Sequence, residues 1–204
     1  MTKEQKDGLR LSGRFTKAVE YARELHSEFR KGTRIPYMAH LLGVASLVMD
    51  EAGGHIPVSE DMVIAAILHD VVEDHGGAPR LEEVRKEFGS NVARMVQGLS
   101  DTLAEDHDKK EGWEKRKIRY LEHLRSAPED ELLISAADKL YNARAILDDF
   151  KEIGPEIWDR FKRGPKQQLW YFRELLAIFQ LRLKGPIVDE LGGVVNELAR
   201  LTGA

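Results

Sequence analysis

The chain has 204 residues, carries a formal net charge of −4 at pH 7 and contains no cysteine. The length suits one well-buried core and is short for two, so we expect a single domain over residues 1–204. The charge excludes an overall basic field that would attract nucleic acid, and the absence of cysteine excludes disulfides and thiolate metal sites. No apolar run is long enough to span a membrane and the N-terminal residues are too polar for a secretion signal, so we expect a cytoplasmic protein.

Apolar residues recur at helical spacing along most of the chain, and no stretch alternates as a strand would, so we expect an all-α fold. Ser59 is expected to cap the helix that enters the apolar run 63–68. The charged segment 101–112 is predicted to be a solvated, mobile loop. The last helix belongs to a possible C-terminal extension, 186–204, which either closes the core or pairs with a second copy in a homo-oligomer. One predicted helix begins by Asp61 and continues into the stretch 63–77. The other predicted helices cover residues 12–29, 38–50, 81–88, 91–99, 113–124, 129–150, 155–161, 165–183 and 187–201.

The stretch 63–77 joins an apolar run to a dense group of ionisable residues: His69, Asp70, Glu73, Asp74 and His75. Acids beside a buried helix are costly unless they are paired or bind a metal. On one continuous helix, His69 would lie over Glu73 and Asp70 over Asp74. Imidazole and carboxylate together suit Mn²⁺, Fe²⁺, Zn²⁺ or, less well, Mg²⁺. His75 precedes two glycines and is predicted to be a surface residue rather than a ligand.

Two further residues are unusual in their surroundings. His40 lies in the first turn of an apolar helix, and Asp138 lies in the small and apolar run 134–140. Either one alone is more typical of a hydrogen-bonded core histidine or of a helix-paired aspartate. Together with His69 and Asp70, however, they would all be satisfied by one cation. The sequence therefore predicts a metal site between helices.

The order of these residues resembles the HD superfamily of metal-dependent phosphohydrolases. The stretches RKGTRIPYMAH, AAILHDVVEDHGG, FGSNVARMVQGLSD and ISAADKLYNAR are similar to successive motifs in the hydrolase domain of RelA/SpoT homologues, particularly the small stand-alone enzymes. The resemblance extends over about residues 15–183. It implies a helical HD domain in which His40, His69, Asp70 and Asp138 hold a single Mn²⁺, other divalent ions being possible, and in which Glu73 and Asp74 form the catalytic acidic pair.

The resemblance also implies a nucleotide substrate. A metal-bound hydroxide would attack the 3′-pyrophosphate of guanosine tetra- or pentaphosphate and release pyrophosphate with GDP or GTP. Arg30 matches an arginine that packs against the nucleotide base, and Asn142 matches a substrate-binding asparagine. The candidate substrate-binding residues are Arg30, Lys31, Tyr37, Asn142 and Arg144.

Several of these residues also have structural interpretations. A basic loop such as 30–34 is usually only solvated, and its position before His40 is what favours Arg30 as a binding residue. Arg144 is either a phosphate contact or the salt-bridge partner of Asp148, and Tyr141 either faces the site or belongs to the core. Trp113 either closes over the substrate or packs in the core.

Two other functions compete with pyrophosphate hydrolysis. One is a phosphatase acting on another nucleotide, such as the 2′-phosphate of NADPH or a nucleoside monophosphate. The other is a non-catalytic regulatory module that binds the alarmone. The presence of Glu73 and Asp74 argues against the module, because a protein that only binds has no need of a proton-handling pair.

Overall fold

A computed structural model describes residues 8–104 and 111–203, and within these ranges the regular structure is entirely helical. The β-structure in these ranges is limited to one isolated bridge between Phe29 and Pro36. The prediction of an all-α fold is therefore confirmed. The α-helices are α1 (Gly13–Leu25), α2 (Met38–Asp50), α3 (Glu60–Leu68), α4 (Val71–Asp74), α5 (Gly77–Phe88), α6 (Ser90–Leu99), α7 (Trp113–Leu124), α8 (Glu129–Ile153), α9 (Pro165–Arg182) and α10 (Pro186–Thr202). Two 3₁₀ segments, Glu51–Gly53 and Gly154–Arg160, follow α2 and α8.

Hydroxyl side chains begin two of the helices. The Oγ of Ser59 accepts a hydrogen bond from the Met62 amide at 3.3 Å, so the predicted cap of α3 is confirmed. Ser12 caps α1 in the same way, accepting from the Arg14 amide at 3.1 Å. The predicted helix 12–29 was too long, because the backbone leaves the helical conformation at His26 (φ −96°, ψ 79°).

Helix α3 is the centre of the core. Every residue from Met62 to Leu68 is buried, and the helix packs against α1, α2, α6 and α8. A helix that is apolar on all sides has to be enclosed by other elements. The residues that follow α3 therefore emerge from the interior of the protein rather than from its surface.

The helix expected across the stretch 63–77 is interrupted, which corrects the prediction of one continuous helix. Helix α3 ends at Leu68 and the short α4 begins at Val71. His69 and Asp70 keep right-handed dihedral angles (φ −60°, ψ −32° and φ −95°, ψ −11°), so the interruption needs neither glycine nor proline.

The C-terminal helix completes the bundle. Helix α10 packs against α8 and α9 and buries Leu191, Val195 and Leu198. The sequence left two roles open for this helix, and in the structure it closes the core. Of the helices in residues 8–104 and 111–203, none is long and apolar enough to cross a membrane. Residues 105–110 of the predicted mobile loop lie outside the described residues.

Candidate metal centre and adjoining cleft

Four side chains from three parts of the bundle converge on one point. Helix α2 contributes His40, the turn between α3 and α4 contributes His69 and Asp70, and α8 contributes Asp138. The Nε2 atoms of the two histidines lie 3.2 Å apart. The Asp70 Oδ2 is 3.4 Å from His40 Nε2 and 3.0 Å from His69 Nε2, and the Asp138 Oδ1 is 3.4 and 3.7 Å from the same two nitrogens.

Neighbouring groups orient these side chains. His69 Nδ1 lies 2.8 Å from the carbonyl oxygen of Ala66; as a donor to that oxygen it leaves the Nε2 lone pair facing the centre. The Tyr37 hydroxyl donates to Asp70 Oδ2 at 2.6 Å, and the Asn142 amide donates to Asp138 Oδ1 at 2.5 Å. His69, Asp70 and Asp138 are thus held in place by partners that would form the second layer around an ion, whereas the buried Nδ1 of His40 has no hydrogen-bond partner in the described part of the chain.

The electrostatics of the cluster favour a positive charge at its centre. Burial alone would lower the pKa of His69, yet Asp70 and Asp138 raise it well above its ordinary value. Burial lowers the pKa of His40. His40, His69 and Asp70 bring two imidazole nitrogens and one carboxylate oxygen close enough to hold one divalent ion, and Asp138 Oδ1 lies within 3.7 Å of both imidazole nitrogens.

The two predicted catalytic acids differ in position. Glu73 lines a cavity of about 30 Å³ together with His69, Asp70 and Asp138. A cavity of this size has room for water but not for a nucleotide. Asp74 is not among the described residues that line this cavity. Its negative charge affects Tyr37 instead: burial raises the pKa of the Tyr37 hydroxyl, and the charges of Asp70 and Asp74 raise it further.

Asp101 corrects the prediction of a solvated loop over 101–112. Its carboxylate is buried and binds Arg116 and Lys117, the latter at 2.8 Å. Its backbone amide donates to Glu73 Oε2 at 3.3 Å, and Arg116 Nη1 lies 3.5 Å from Glu73 Oε1. Burial would raise the pKa of Asp101, but Lys117 and Arg116 lower it. Asp101 therefore connects the start of the charged segment to Glu73.

A cleft of about 390 Å³ lies beside the centre and contains several predicted substrate-binding residues. Arg30 lies over the Tyr141 ring at 5.2 Å and donates through Nη2 to Asn142 Oδ1 at 2.9 Å. Because Asn142 in turn donates to Asp138, these contacts join the cleft to the metal centre. The Nη1 of Arg30 is buried and has no hydrogen-bond partner in the described part of the chain, so this guanidinium keeps one unsatisfied donor at the cleft.

The remaining substrate-binding candidates are distributed differently. Lys31 and Arg144 line the cleft, whereas Tyr37 contacts Asp70. Arg144 was predicted either to contact a phosphate or to pair with Asp148, but its ion-pair partner is Glu190 on α10. Its Nε donates to Glu190 Oε1 at 3.0 Å.

Residues 18–162 match the model of a family described as the HD domain. The chain belongs to the HD-domain family. It is 36% identical over 144 residues to a Danio rerio protein named guanosine-3′,5′-bis(diphosphate) 3′-pyrophosphohydrolase MESH1, a match that covers 69% of this chain and 71% of the relative. A human protein of the same name is 33% identical over 150 residues, or 71% and 74% of the two chains.

A solved structure supports the same relationship. It is described as a metazoan orthologue of SpoT that hydrolyses ppGpp, and it aligns with a TM-score of 0.67 and 26% identity over 95% of this chain and 98% of that chain. The predicted resemblance is therefore confirmed.

Some residues of this HD domain that shape the site were not singled out from the sequence. Lys139 donates to Asp138 Oδ2 at 2.5 Å; burial would lower the pKa of Lys139, but Asp138 raises it well above its ordinary value. Gly43 lies against the Tyr141 ring, where a Cβ atom would come within 2.0 Å of Cε2. The position of Lys139 beside a candidate ligand was a usable signal, whereas Gly43 offered none. Trp113 packs on the core beside Trp170 and Tyr171, consistent with its structural interpretation.

Proposed function

We propose that this HD domain hydrolyses the 3′-pyrophosphate of guanosine tetra- or pentaphosphate and releases pyrophosphate with GDP or GTP. The observation that carries the proposal is that the Asp70 and Asp138 carboxylates each lie 3.0–3.7 Å from the Nε2 atoms of both His40 and His69, beside a cleft of nucleotide size. Relatives at 33–36% identity are named as enzymes of this activity. Both lines of support concern the same part of the chain.

We propose Mn²⁺ as the resident ion, held by these four residues. Mixed imidazole and carboxylate ligands suit Mn²⁺ better than Mg²⁺, and the missing cysteines exclude thiolate ligation. When bound, such an ion polarises a phosphoryl oxygen and lowers the pKa of a coordinated water. Protein ligands from only four side chains would leave positions for water and substrate.

Glu73 is our candidate for handling the proton of the attacking water. It lines the small cavity beside Asp70 and Asp138, which is large enough for that water. Arg116, 3.5 Å from Glu73 Oε1, and the Asp101 amide hold its carboxylate in place. Asp74 stays the predicted second acid of the pair, acting from its position near Tyr37.

The cleft is the proposed binding place for the nucleotide. Arg30 offers a buried, unpaired N–H donor and a flat guanidinium face, which suit a purine base or a phosphate. Lys31 and Arg144 add positive charge to the walls. The volume of about 390 Å³ lies in the usual range of small-molecule sites. Asn142 would bring the bound nucleotide next to Asp138.

One assay tests the proposal against its rivals. Chelator-treated protein is reloaded with Mn²⁺ and offered guanosine tetraphosphate, NADPH and nucleoside monophosphates, and the release of pyrophosphate and of orthophosphate is measured separately. Pyrophosphate from guanosine tetraphosphate, lost again on chelation, is the expected result. Orthophosphate from NADPH, or tight binding of the alarmone without turnover, would refute it.

A further inference from the structure

A second group of metal-binding side chains lies outside the proposed centre. It consists of His26, Glu28 and His75, whose donor atoms face one another. His26 Nδ1 lies 2.7 Å from Glu28 Oε1 and 3.1 Å from His75 Nε2, and the last two atoms are 3.8 Å apart. His75 was predicted to be a surface residue, but it is partly buried and turned towards His26.

The short polar contacts of this group meet at His26 Nδ1. The buried Nε2 of His26 has no hydrogen-bond partner in the described part of the chain, so the polar contacts of this ring run through Nδ1. A proton on Nδ1 can be donated to Glu28 or to His75, but it cannot serve both fully. A divalent cation in its place would accept lone pairs from all three atoms at once.

Two of the three groups, His75 and Glu28, are also in the ionisation states that a cation requires. Burial lowers the pKa of His75, with the neighbouring His26 adding to the effect, so its ring is neutral near pH 7. Burial would raise the pKa of Glu28, but His26 lowers it, so Glu28 is a carboxylate. Arg80 is the nearby positive charge that opposes a cation, and its guanidinium is already engaged by Glu83, by Tyr21 and by the His75 carbonyl.

The surroundings allow an ion to enter and the ligands to adjust. The Glu28 and His75 side chains are 43% and 27% exposed, whereas that of His26 is fully buried. His26 and His75 are the C-terminal cap residues of α1 and α4, and both have left the helical conformation. Small adjustments of the three side chains therefore do not require a helix to move.

We propose that His26, Glu28 and His75 form a second divalent metal site, separate from the centre at His40, and that it takes an ion of the Zn²⁺ class. Two imidazoles and one carboxylate form a usual ligand set for Zn²⁺, with water in the fourth position. Tyr37 lies between this site and the proposed centre, because the His26 ring stacks on the Tyr37 ring with centroids 4.7 Å apart and the Tyr37 hydroxyl donates to Asp70. An ion here would therefore also brace the side chain that holds Asp70.

The test counts ions rather than turnover. Untagged, chelator-stripped protein is titrated with Zn²⁺, and bound zinc is measured by elemental analysis and by calorimetry. Wild-type protein should bind two equivalents per chain, whereas His75→Ala and Glu28→Gln should each lose one. In these variants the dissociation constant of the second zinc ion should rise by more than the roughly 10- to 100-fold that loss of an outer-shell partner costs. Titration with Co²⁺ gives an optical signal for the same event.

Two controls make the result decisive. Asp138→Asn should keep the second equivalent, and His55→Ala, which changes an exposed histidine outside both clusters, should keep both. Circular dichroism verifies folding, and Glu28→Gln alters a half-exposed carboxylate with little risk to the core. A single wild-type equivalent that is lost in Asp138→Asn, no loss of bound zinc in both His75→Ala and Glu28→Gln, or loss of both ions in Asp138→Asn would overturn the proposal.

Discussion

Gly43 sets how closely α2 can approach Tyr141, and Gly43→Ala therefore perturbs the site without touching a polar group. An added Cβ would lie 2.0 Å from Tyr141 Cε2 and 2.6 Å from Cδ2. Because non-bonded carbon atoms pack at about 3.5–4.0 Å, the ring would have to retreat by roughly 1.5 Å. That ring lies against His40, with centroids 5.1 Å apart, and under the Arg30 guanidinium.

Two opposing terms determine the effect on stability. Forcing an extra carbon into a packed position costs about 1–3 kcal/mol, whereas replacing glycine by alanine inside a helix gains about 0.5–1 kcal/mol. We expect Gly43→Ala to lower the free energy of unfolding by roughly 1–2 kcal/mol. Since a misplacement near 1 Å can cost about 100-fold in rate, kcat/KM for pyrophosphate release should fall by about 10- to 100-fold.

Urea unfolding and steady-state pyrophosphate release measure the two effects. Gly193→Ala is the matched control, because it also lies inside a helix but has no atom within 4 Å of the added Cβ, and it should be neutral or slightly stabilising. In a Tyr141→Ala background the obstruction is gone, and Gly43→Ala should then cost nothing. An equal loss in both backgrounds would refute the explanation.

Further predictions concern single charged groups. Asp138→Asn should lose bound Mn²⁺ together with activity, whereas Glu73→Gln should keep the metal and lose at least about 100-fold in turnover; equal metal loss in both would contradict the roles. Asp101→Ala leaves the partly buried Arg116 with one carboxylate fewer, and urea unfolding should detect a loss of roughly 1–3 kcal/mol. The pKa of Asp101 is lower in the native than in the unfolded state, so its contribution to the free energy of unfolding is complete above about pH 4 and is lost as pH falls through the native pKa. A stability difference between variant and wild type that grew in acid would contradict this explanation. Arg30→Lys should raise KM for the nucleotide by about 10-fold and leave metal content unchanged, since lysine lacks the flat, forked donor group.

The helices that the sequence predicted best are those with clear local boundaries. The predicted ranges 38–50 and 113–124 agree with α2 and α7, because apolar periodicity is bounded by Pro36 and Gly53 around α2 and by Gly112 and Pro128 around α7. The end of α1 was missed because Phe29, although apolar, lies beyond the last helical turn and is exposed. Periodicity identifies a possible buried face, and it cannot show whether other elements cover that face.

The site could be predicted only in part, because only some of its residues have a local signal in the sequence. His40 and Asp138 were noticed because each is polar in an apolar run, which is a local signal. Asp101 lies in a segment whose composition is typical of a solvated loop, and its burial depends on Arg116 and Lys117 of α7. Contacts between elements distant in the chain leave no mark on local composition.

The turn at His69 and Asp70 accounts for how a buried cluster can still be reached by water. Helix α3 is enclosed on all sides, so side chains placed within it would be sealed in the core. Because the helix ends at Leu68, His69 keeps a buried side chain, 4% exposed, while that of Asp70 turns outward to 21% exposure. Glu73 follows one turn later and lines the small cavity on that side. One helix end therefore supplies an anchored histidine and a more exposed carboxylate to the same point.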